Sequence, residues 1–573
     1  MINLGDKNWG VKDSGLLAYK QVGSKYFNKD FDFTRASNGT YVDKDGVLQT
    51  AELYNLVSYS QDFSQGILSN CTIESGYIAP NGTLNAYKLI EDSTNSIKLF
   101  RAENANNSTP NTSYASSIFV KSAERTKVRV YGYHLANQYF YVDYDLSDNT
   151  YLGSGNANAQ VDGYSIEDVG NDWKRITIIG QKNATYSWDV GVSTLDDSGN
   201  VTYQGDGVSG LYIYGAQLVE GTEPLDYQYT NGRVGIPRID FSDGVGALLL
   251  EPQRTNLINY SQDIDLWSNF VQGNGVIPIT TANYAIAPDG TQTAERLQCN
   301  QVELGGANRS AKQISVPVIN GTTYAFSFWV KSNTGENQQF SFTPSFANII
   351  SGNQQIVATN EWQRFEIIGT SILTGTSEIR VGLVSNSIST TNDVLVWGIQ
   401  CEVGSYCTSY IKTSGSAVTR IADVANNCGS EQDFNSEEGV LYAEIYAFDD
   451  DAAYKQISID DGTNNSRHAI WFYNNSIGSA TIISSSYSYL PLLSTTFTPN
   501  NFYKIAYKYK QNDFALWVNG IEVGQSSTGN VPSGLSELDF DNGVTQLNFY
   551  GKARSVKYFP EALTDEQLEN LTT

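Results

Sequence analysis

Five sequence blocks occur twice along the chain in the same order, and this duplication constrains the fold more than any other feature. Asn55-Leu56-Val57-Ser58-Tyr59-Ser60-Gln61-Asp62 returns as Asn256-Leu257-Ile258-Asn259-Tyr260-Ser261-Gln262-Asp263. Ile78-Ala79-Pro80-Asn81-Gly82-Thr83 returns as Ile286-Ala287-Pro288-Asp289-Gly290-Thr291, and Tyr114 to Ser122 returns as Tyr324 to Ser332. Asn171-Asp172-Trp173-Lys174-Arg175-Ile176 matches Asn360-Glu361-Trp362-Gln363-Arg364-Phe365, and Ile213 to Gly221 matches Val396 to Gly404. Two modules built from the same blocks have one fold between them, with insertions confined to the connections, where loops tolerate them.

The period of each block then selects the fold class. Phe326, Phe328 and Val330 alternate with Ser327, Trp329 and Lys331, the two-residue repeat of a sheet strand. Clusters such as Asp196-Asp197-Ser198-Gly199-Asn200 separate the blocks as turns. Composition agrees, because 37 Tyr, 24 Phe and 50 Gly suit pleated half-buried surfaces joined by tight turns. The expected class is all-β, with tandem jelly-roll sandwiches at 51–231 and 256–427 joined by a connector at 232–255.

A third module is expected at 428–573. Tyr503, Ile505, Tyr507 and Tyr509 alternate with Lys504, Ala506, Lys508 and Lys510, and Asn519-Gly520 gives a two-residue type I′ hairpin signal. Thr564-Asp565-Glu566-Gln567 reads as a capping box opening a short terminal helix with Leu568 and Leu571 on one face. Residues 1–50 hold one hairpin candidate around Asp43-Lys44-Asp45-Gly46 and too few apolar side chains for a core of their own, so they are expected to dock elsewhere.

The net charge of −25 excludes a nucleic-acid binder of the usual basic kind. No apolar run approaches the roughly 18 residues that span a bilayer, so no membrane association is expected. Met1 to Trp9 lack a basic segment followed by an apolar one, so no secretory signal is expected. Cys71, Cys299, Cys401, Cys407 and Cys428 are scattered without a CxxC and read as small core residues.

Certain motifs resemble a known group. Asp32-Phe33-Thr34-Arg35-Ala36-Ser37, the connector ending Leu249-Leu250-Glu251-Pro252-Gln253-Arg254-Thr255-Asn256-Leu257, and Tyr410-Ile411-Lys412-Thr413-Ser414-Gly415-Ser416-Ala417-Val418-Thr419-Arg420 resemble recurring modules of tailed-bacteriophage virion proteins, the head or tail fibres and related appendages. The two copies are similar to jelly-roll carbohydrate-binding modules. Residues 428–573 resemble a concanavalin-A-like or laminin-G-like lectin sandwich through Leu516-Trp517-Val518-Asn519-Gly520 and the closing Lys557 to Leu568. The resemblance implies a structural protein on the virion surface, assembled in the host cytoplasm and released by lysis. It also implies a homotrimer that attaches to other virion proteins through residues 1–50 and displays glycan-binding modules toward host or environmental polysaccharide.

Catalytic equipment is sparse. The two histidines, His134 and His468, lie in different modules, and no GxSxG, HExxH or phosphate loop occurs, so the expectation is a protein that is not an enzyme. Two carboxylates suffice for glycoside hydrolysis, so a glycan depolymerase stands as the alternative, and a decoration protein without ligand as a third reading. Sugar recognition needs rings for C–H faces and amides for hydroxyls. Phe119 and Trp329, at matching positions of the two copies, and Trp471, Tyr473, Asn474 and Tyr487 in the third module are the candidates, with ordinary sheet packing as the competing reading. Asp449, Asp450, Asp451, Asp460 and Asp461 supply hard oxygens on turns that can hold calcium, although turns favour Asp for backbone reasons alone.

Overall fold

The computed structural model describes residues 16–22, 25–52, 54–103, 111–135, 137–181, 188–230, 235–304, 308–345, 347–348, 354–384, 388–449, 453–487 and 495–573, and the backbone alone at 16–22, 25–30, 135, 347–348, 354 and 486–487. Strands dominate, and one short α-helix, Asp565–Thr572, closes the chain. The chain divides into two compact units, one Leu53–Val234 and the other Leu16–Glu52 with Gly235–Thr573. No helix among the described residues is long and apolar enough to cross a membrane.

Leu53–Val234 is a sandwich of two six-stranded sheets. The first runs Gln160–Gly170, Trp173–Gln181, Ser113–Ser122, Gly210–Glu220, Ala86–Glu91, Cys71–Tyr77. The second runs Thr150–Ala157, Gln138–Asp145, Lys127–Leu135, Asp189–Thr194, Leu99–Ala102, Ile67–Ser69. Ile118, Val120, Val130, Phe140, Val142, Ile176 and Val192 fill the space between them.

The second copy repeats this order in the inner strands and differs at the edges. Ala347–Asn348, Gln363–Ser371, Thr323–Ser332, Thr391–Val403, Ala294–Asn300 and Ile279–Ala285 form one sheet. Gln354–Ala358, Gln338–Pro344, Gly375–Leu383, Arg309–Val318 and Ser268–Gln272 form the other, which has five strands among the described residues.

The repeated residues close each sandwich in the same way. Asn55 donates to the carbonyls of Ala216 and Gln228 and accepts from the amides of Val57 and Leu218. Asn256 does the same with Ile399, Ile411, Ile258 and Cys401. Arg175 reaches Ser117 and the Leu225 carbonyl, as Arg364 reaches Ser327 and the Thr408 carbonyl. Each long strand also carries one β-bulge, at Gly215 (φ 58°) and Gly398 (φ 63°). A Cβ at either glycine would sit 2.9 Å from the ring of Phe119 or Trp329, so both backbone and neighbour require glycine.

The third sandwich is completed by segments distant in sequence. Its large sheet runs Val424–Asn426, Lys25–Thr34, Leu16–Val22, Gly551–Phe559, Glu438–Ala447, Tyr503–Lys510, Phe514–Val518, Ile521–Ser526. Leu16–Val22 lies parallel to the last strand, with Tyr19 opposite Lys557, and Ala247–Leu250 of the connector also pairs with it. The N-terminal strands thus dock within the chain, where they extend the sheet from Gly551–Phe559 to Val424–Asn426. The facing sheet runs Ser486–Tyr487, Ser476–Ile483, Arg467–Tyr473, Lys455–Asp460, Glu537–Asp539. Asn519 (φ 50°) and Gly520 (φ 79°) make the two-residue turn, and the Thr564 capping box starts a helix whose Leu568 and Leu571 pack on Val440, Tyr442 and Trp517.

The three motif segments meet in one buried ion network. Asp423 accepts from Arg35 at 2.9 Å and Arg238 at 2.5 Å, and Glu251 accepts from Arg238 at 2.7 Å and Arg420 at 2.5 Å. All five side chains are essentially inaccessible to water. Burial alone would raise the Glu251 carboxyl, but the Arg420 and Arg238 guanidiniums outweigh it and hold it down at about 2.

Candidate functional site

The residues expected to face sugar occupy several environments. Phe119 is covered, because Tyr214 and Tyr227 pack on it at 5.8 and 5.4 Å and the Arg175 guanidinium lies 5.6 Å from its ring. Trp329, its counterpart, is 8% exposed and packs on Trp397 and Tyr410. A strap of chain covers this sheet face in each copy, tied by Tyr227 to Ser60 and by Tyr410 to Ser261. The rings are therefore a second buried layer rather than an open surface.

The third module does bring three of its candidates together. Tyr473 stacks on the partly exposed Tyr454 at 4.1 Å, Trp471 meets Tyr454 edge-on at 5.5 Å, and the exposed Asn474 follows in the turn. Trp471 itself is 4% exposed and lies across Gly478. Tyr487 pairs through its backbone with Ile482.

A larger aromatic surface was missed by sequence reasoning. On the outer face of the second sheet of Leu53–Val234, Tyr131 and Tyr133 alternate with core-facing Val130 and Gly132, and Tyr139 and Tyr141 with Phe140 and Val142. Tyr133 and Tyr139 lie parallel at 6.3 Å, with Tyr131 edge-on to both. Arg129 grips Asp143 with two hydrogen bonds, at 2.6 and 2.7 Å, and lays its guanidinium 3.5 Å from the Tyr141 ring centre. Arg101 pairs with Asp189 at 2.8 Å beside Tyr133. Burial pushes the Tyr131 hydroxyl up to about 12, so it stays a neutral donor. A cleft of about 240 Å³ opens here among Tyr131, Tyr133, Tyr139, Arg129, Asn70 and Ile97. The signal was the alternation of tyrosine with valine on two adjoining strands.

The acidic candidates separate. Asp449 is committed to Lys455 at 2.8 Å and to Ser405, and Asp461 caps its own turn through Thr463, so neither joins a cluster. Asp450 and Asp451 lie outside the described residues. Asp460 instead joins Glu537 and Asp539, whose carboxylate oxygens all lie within 4.8 Å of one another. The strands Lys455–Asp460 and Glu537–Asp539 pair directly, which places these acids side by side on one face.

This triad is an arrangement that can hold a metal ion. Asp460 and Asp539 are 0% and 2% exposed, and among the described residues no Lys or Arg forms an ion pair with any of the three. Burial, then the neighbouring acids, pushes Asp460 up to about 7, and burial, then Asp460, pushes Asp539 up to about 8. Asp541 adds a further carboxylate beside them, held by Asn426 and the Gly543 amide. The Asn426 Oδ1 acceptor is buried without a partner, and a Cβ on Gly543 would fall 2.7 Å from both Asp460 and the Thr463 carbonyl. Such hard oxygens, without a cationic partner and with two of the three acids buried, suit a cation. They do not suit glycoside hydrolysis, whose carboxylates must face the bond they cleave. His468 is a core residue, bonded to Thr481 and stacked on Tyr509 at 3.7 Å, and burial lowers it to about 3.

No family model and no curated protein matches the sequence. Among solved structures, the chain is similar to the tandem CBM22 domains of Paenibacillus barcinonensis Xyn10C, at 11% identity and a TM-score of 0.22, covering 62% of this chain and 98% of that one. It is also similar to the exo-β-1,3-galactanase of Phanerochaete chrysosporium, at 9% identity and a TM-score of 0.16, over 58% of this chain and 69% of that one. Trypanosoma rangeli sialidase matches at 9% identity and a TM-score of 0.20, over 94% and 98%. TM-scores at this level establish neither a shared function nor a shared ligand.

Proposed function

We propose that the chain is a non-catalytic, multi-module glycan-binding protein, and that its setting is a tailed-phage fibre or appendage. The observation that carries the binding reading is the tyrosine surface of Leu53–Val234. Three rings, a fixed guanidinium and an asparagine around one cleft match the alternating C–H faces and hydroxyls of a saccharide. The carboxylates on this surface, Asp143 and Asp189, are engaged by Arg129 and Arg101 rather than free to move protons, which supports binding without turnover. A glycan array with the full chain tests the reading. Tyr133→Ala with Tyr139→Ala is expected to weaken the best ligand at least tenfold, about 1.4 kcal/mol. Retained binding by that variant, or release of shortened product from the ligand, would count against it.

The virion setting rests on the sequence resemblance of the Arg35, Glu251 and Arg420 segments. Mass spectrometry of purified particles, and light scattering for a trimer, test that part. Calcium is the metal we assign to Asp460, Glu537 and Asp539, with Asp541 and Asn426 Oδ1 in reach of the same cluster. When bound it would neutralise the buried acids and fix the Asp541–Leu547 loop.

A further inference from the structure

The unit formed by Leu16–Glu52 and Gly235–Thr573 contains a second cleft, of about 510 Å³, that belongs to no single module. Tyr41 comes from the hairpin Gly39–Ala51, Phe241 from the connector, Tyr406 from the loop after the second jelly roll, and Phe448 and Asn500 from the third sandwich. We infer that this cleft is a separate carbohydrate site that takes a neutral oligosaccharide.

Its walls supply rings. Tyr406 and Phe448 are half-buried and stack at 5.0 Å with 17° between their planes, and Trp329 lies at the floor. The volume is that of a small-ligand site, roughly 300–1,000 Å³. Charge then selects the ligand. Every charged side chain that lines the cleft is already paired: Asp240 with Lys552 at 2.6 Å, Arg364 with Glu366 at 2.9 Å, and Glu251 with Arg238 and Arg420. An ionic ligand would have to break one of these pairs. A purely apolar one would strip water from Glu366 and Asn500 at the exposed mouth and return no hydrogen bond. A neutral sugar offers C–H faces to the rings and hydroxyls to the mouth, where the Asn500 side chain has no partner among the described residues.

The cleft is also built in advance. Ser409 donates from its amide and hydroxyl to Glu251 at 2.7 and 2.6 Å and accepts from Arg238 and Arg420, so one wall is clamped to the buried ion network. A wall fixed before binding lowers the ordering cost that weakens shallow sugar sites. It follows that the three motif segments act together, because by converging they create a site that none of the modules has alone.

The test is isothermal titration of the full chain with tetrasaccharides of β-1,4-glucan, β-1,4-xylan, α-1,4-glucan and β-1,4-mannan. Four proteins are compared: the natural chain, the sheet-face variant Tyr133→Ala/Tyr139→Ala, and that variant carrying in addition Tyr406→Ala or Glu366→Trp. The sheet-face variant is expected to retain one binding site for at least one of the four sugars. Tyr406→Ala is expected to weaken that binding tenfold or more. Glu366→Trp fills the mouth from an exposed strand position and is expected to abolish it, which decides the matter if Tyr406→Ala unfolds. No binding of any of the four by the sheet-face variant, or binding indifferent to Glu366→Trp, would overturn the inference. Failure of the sheet-face reading is seen separately, as equal titration of the natural chain and the sheet-face variant.

Discussion

Asp423→Asn is the sharpest perturbation of the buried network. The Asp423 carboxylate accepts from Arg35 at 2.9 Å, from Arg238 at 2.5 Å and from the Glu251 amide at 2.8 Å, with no access to solvent. Neutralising it leaves Arg35 without a carboxylate partner and Glu251 to serve Arg238 and Arg420 alone, and whichever way the new amide turns, its NH₂ points at another donor. Removing one partner of a buried ion pair costs about 3–5 kcal/mol, because the remaining charge stays desolvated. Against a total of about 5–15 kcal/mol for a folded domain, that is a large share. Urea unfolding followed by tryptophan fluorescence and circular dichroism measures it. The transition of the unit that contains Gly235–Thr573 is expected to lose about 3–5 kcal/mol. Leu53–Val234, which carries none of these residues, serves as internal control. Glu366→Gln, which breaks a half-exposed pair with Arg364, is expected to cost about 0–1 kcal/mol. A loss below about 1 kcal/mol for Asp423→Asn would refute the reasoning, since the pair would then behave like a surface contact.

The acidic triad ties stability to pH, and to calcium if it holds that ion as proposed. Asp460 and Asp539, raised to about 7 and about 8, retain protons that the unfolded chain releases near pH 4, so without calcium stability is full below that point and falls as pH rises through 7 to 8. Calorimetry in chelator from pH 5 to 9 is expected to show that fall, and added calcium to remove it. Glu251 has the opposite sign: held at about 2, it contributes stability present above its unfolded value near 4.5 and lost as pH falls toward 2. Gly398→Ala, at φ 63° with its Cβ 2.9 Å from Trp329, is expected to cost about 1–3 kcal/mol in urea unfolding. Asn256→Ala strands two carbonyls and two amides in a buried position and is expected to cost about 1–3 kcal/mol or more, with Asn55→Ala doing the same to Leu53–Val234.

The fold class was legible because its signals are local. Alternation at Phe326-Ser327-Phe328, the Asn519-Gly520 turn and the Thr564 capping box each depend on neighbours a few residues apart, and each is found where the pattern puts it. The pairing of Leu16–Val22 with Gly551–Phe559 was not legible, since strand partners hundreds of residues apart leave no periodic trace. The same limit hid the acidic cluster. Asp460 was found as a turn acid, but Glu537 and Asp539 reach it only through the pairing of two strands distant in sequence. The sugar candidates Phe119 and Trp329 were correctly placed on the face opposite the core, yet that face is covered by a strap whose path alternation cannot reveal.

The duplication separates what the fold requires from what recognition can use. Every repeated polar residue traced above, Asn55 and Asn256, Ser60 and Ser261, Arg175 and Arg364, spends its hydrogen bonds on closing its own sandwich. Residues so committed cannot also serve a ligand without loss of stability, so the proposed recognition rests on residues outside this set. The copies differ on one sheet face. The strand Lys127–Leu135 sets Arg129, Tyr131 and Tyr133 outward between core residues, while the strand in the same place of the second copy, Gln338–Pro344, turns Phe340 and Phe342 inward and carries Gln339, Ser341 and Thr343 between them. The outward positions exchange large rings for small polar groups, while the inward positions stay apolar, Val128 and Val130 in one copy and Phe340 and Phe342 in the other. The second copy compensates at its other face, where its strap and the segments fixed by Arg35, Arg238 and Arg420 build the wider cleft around Tyr406. Two weak sites of different shape on one chain would engage a polysaccharide with an avidity neither reaches alone, provided one glycan can span them.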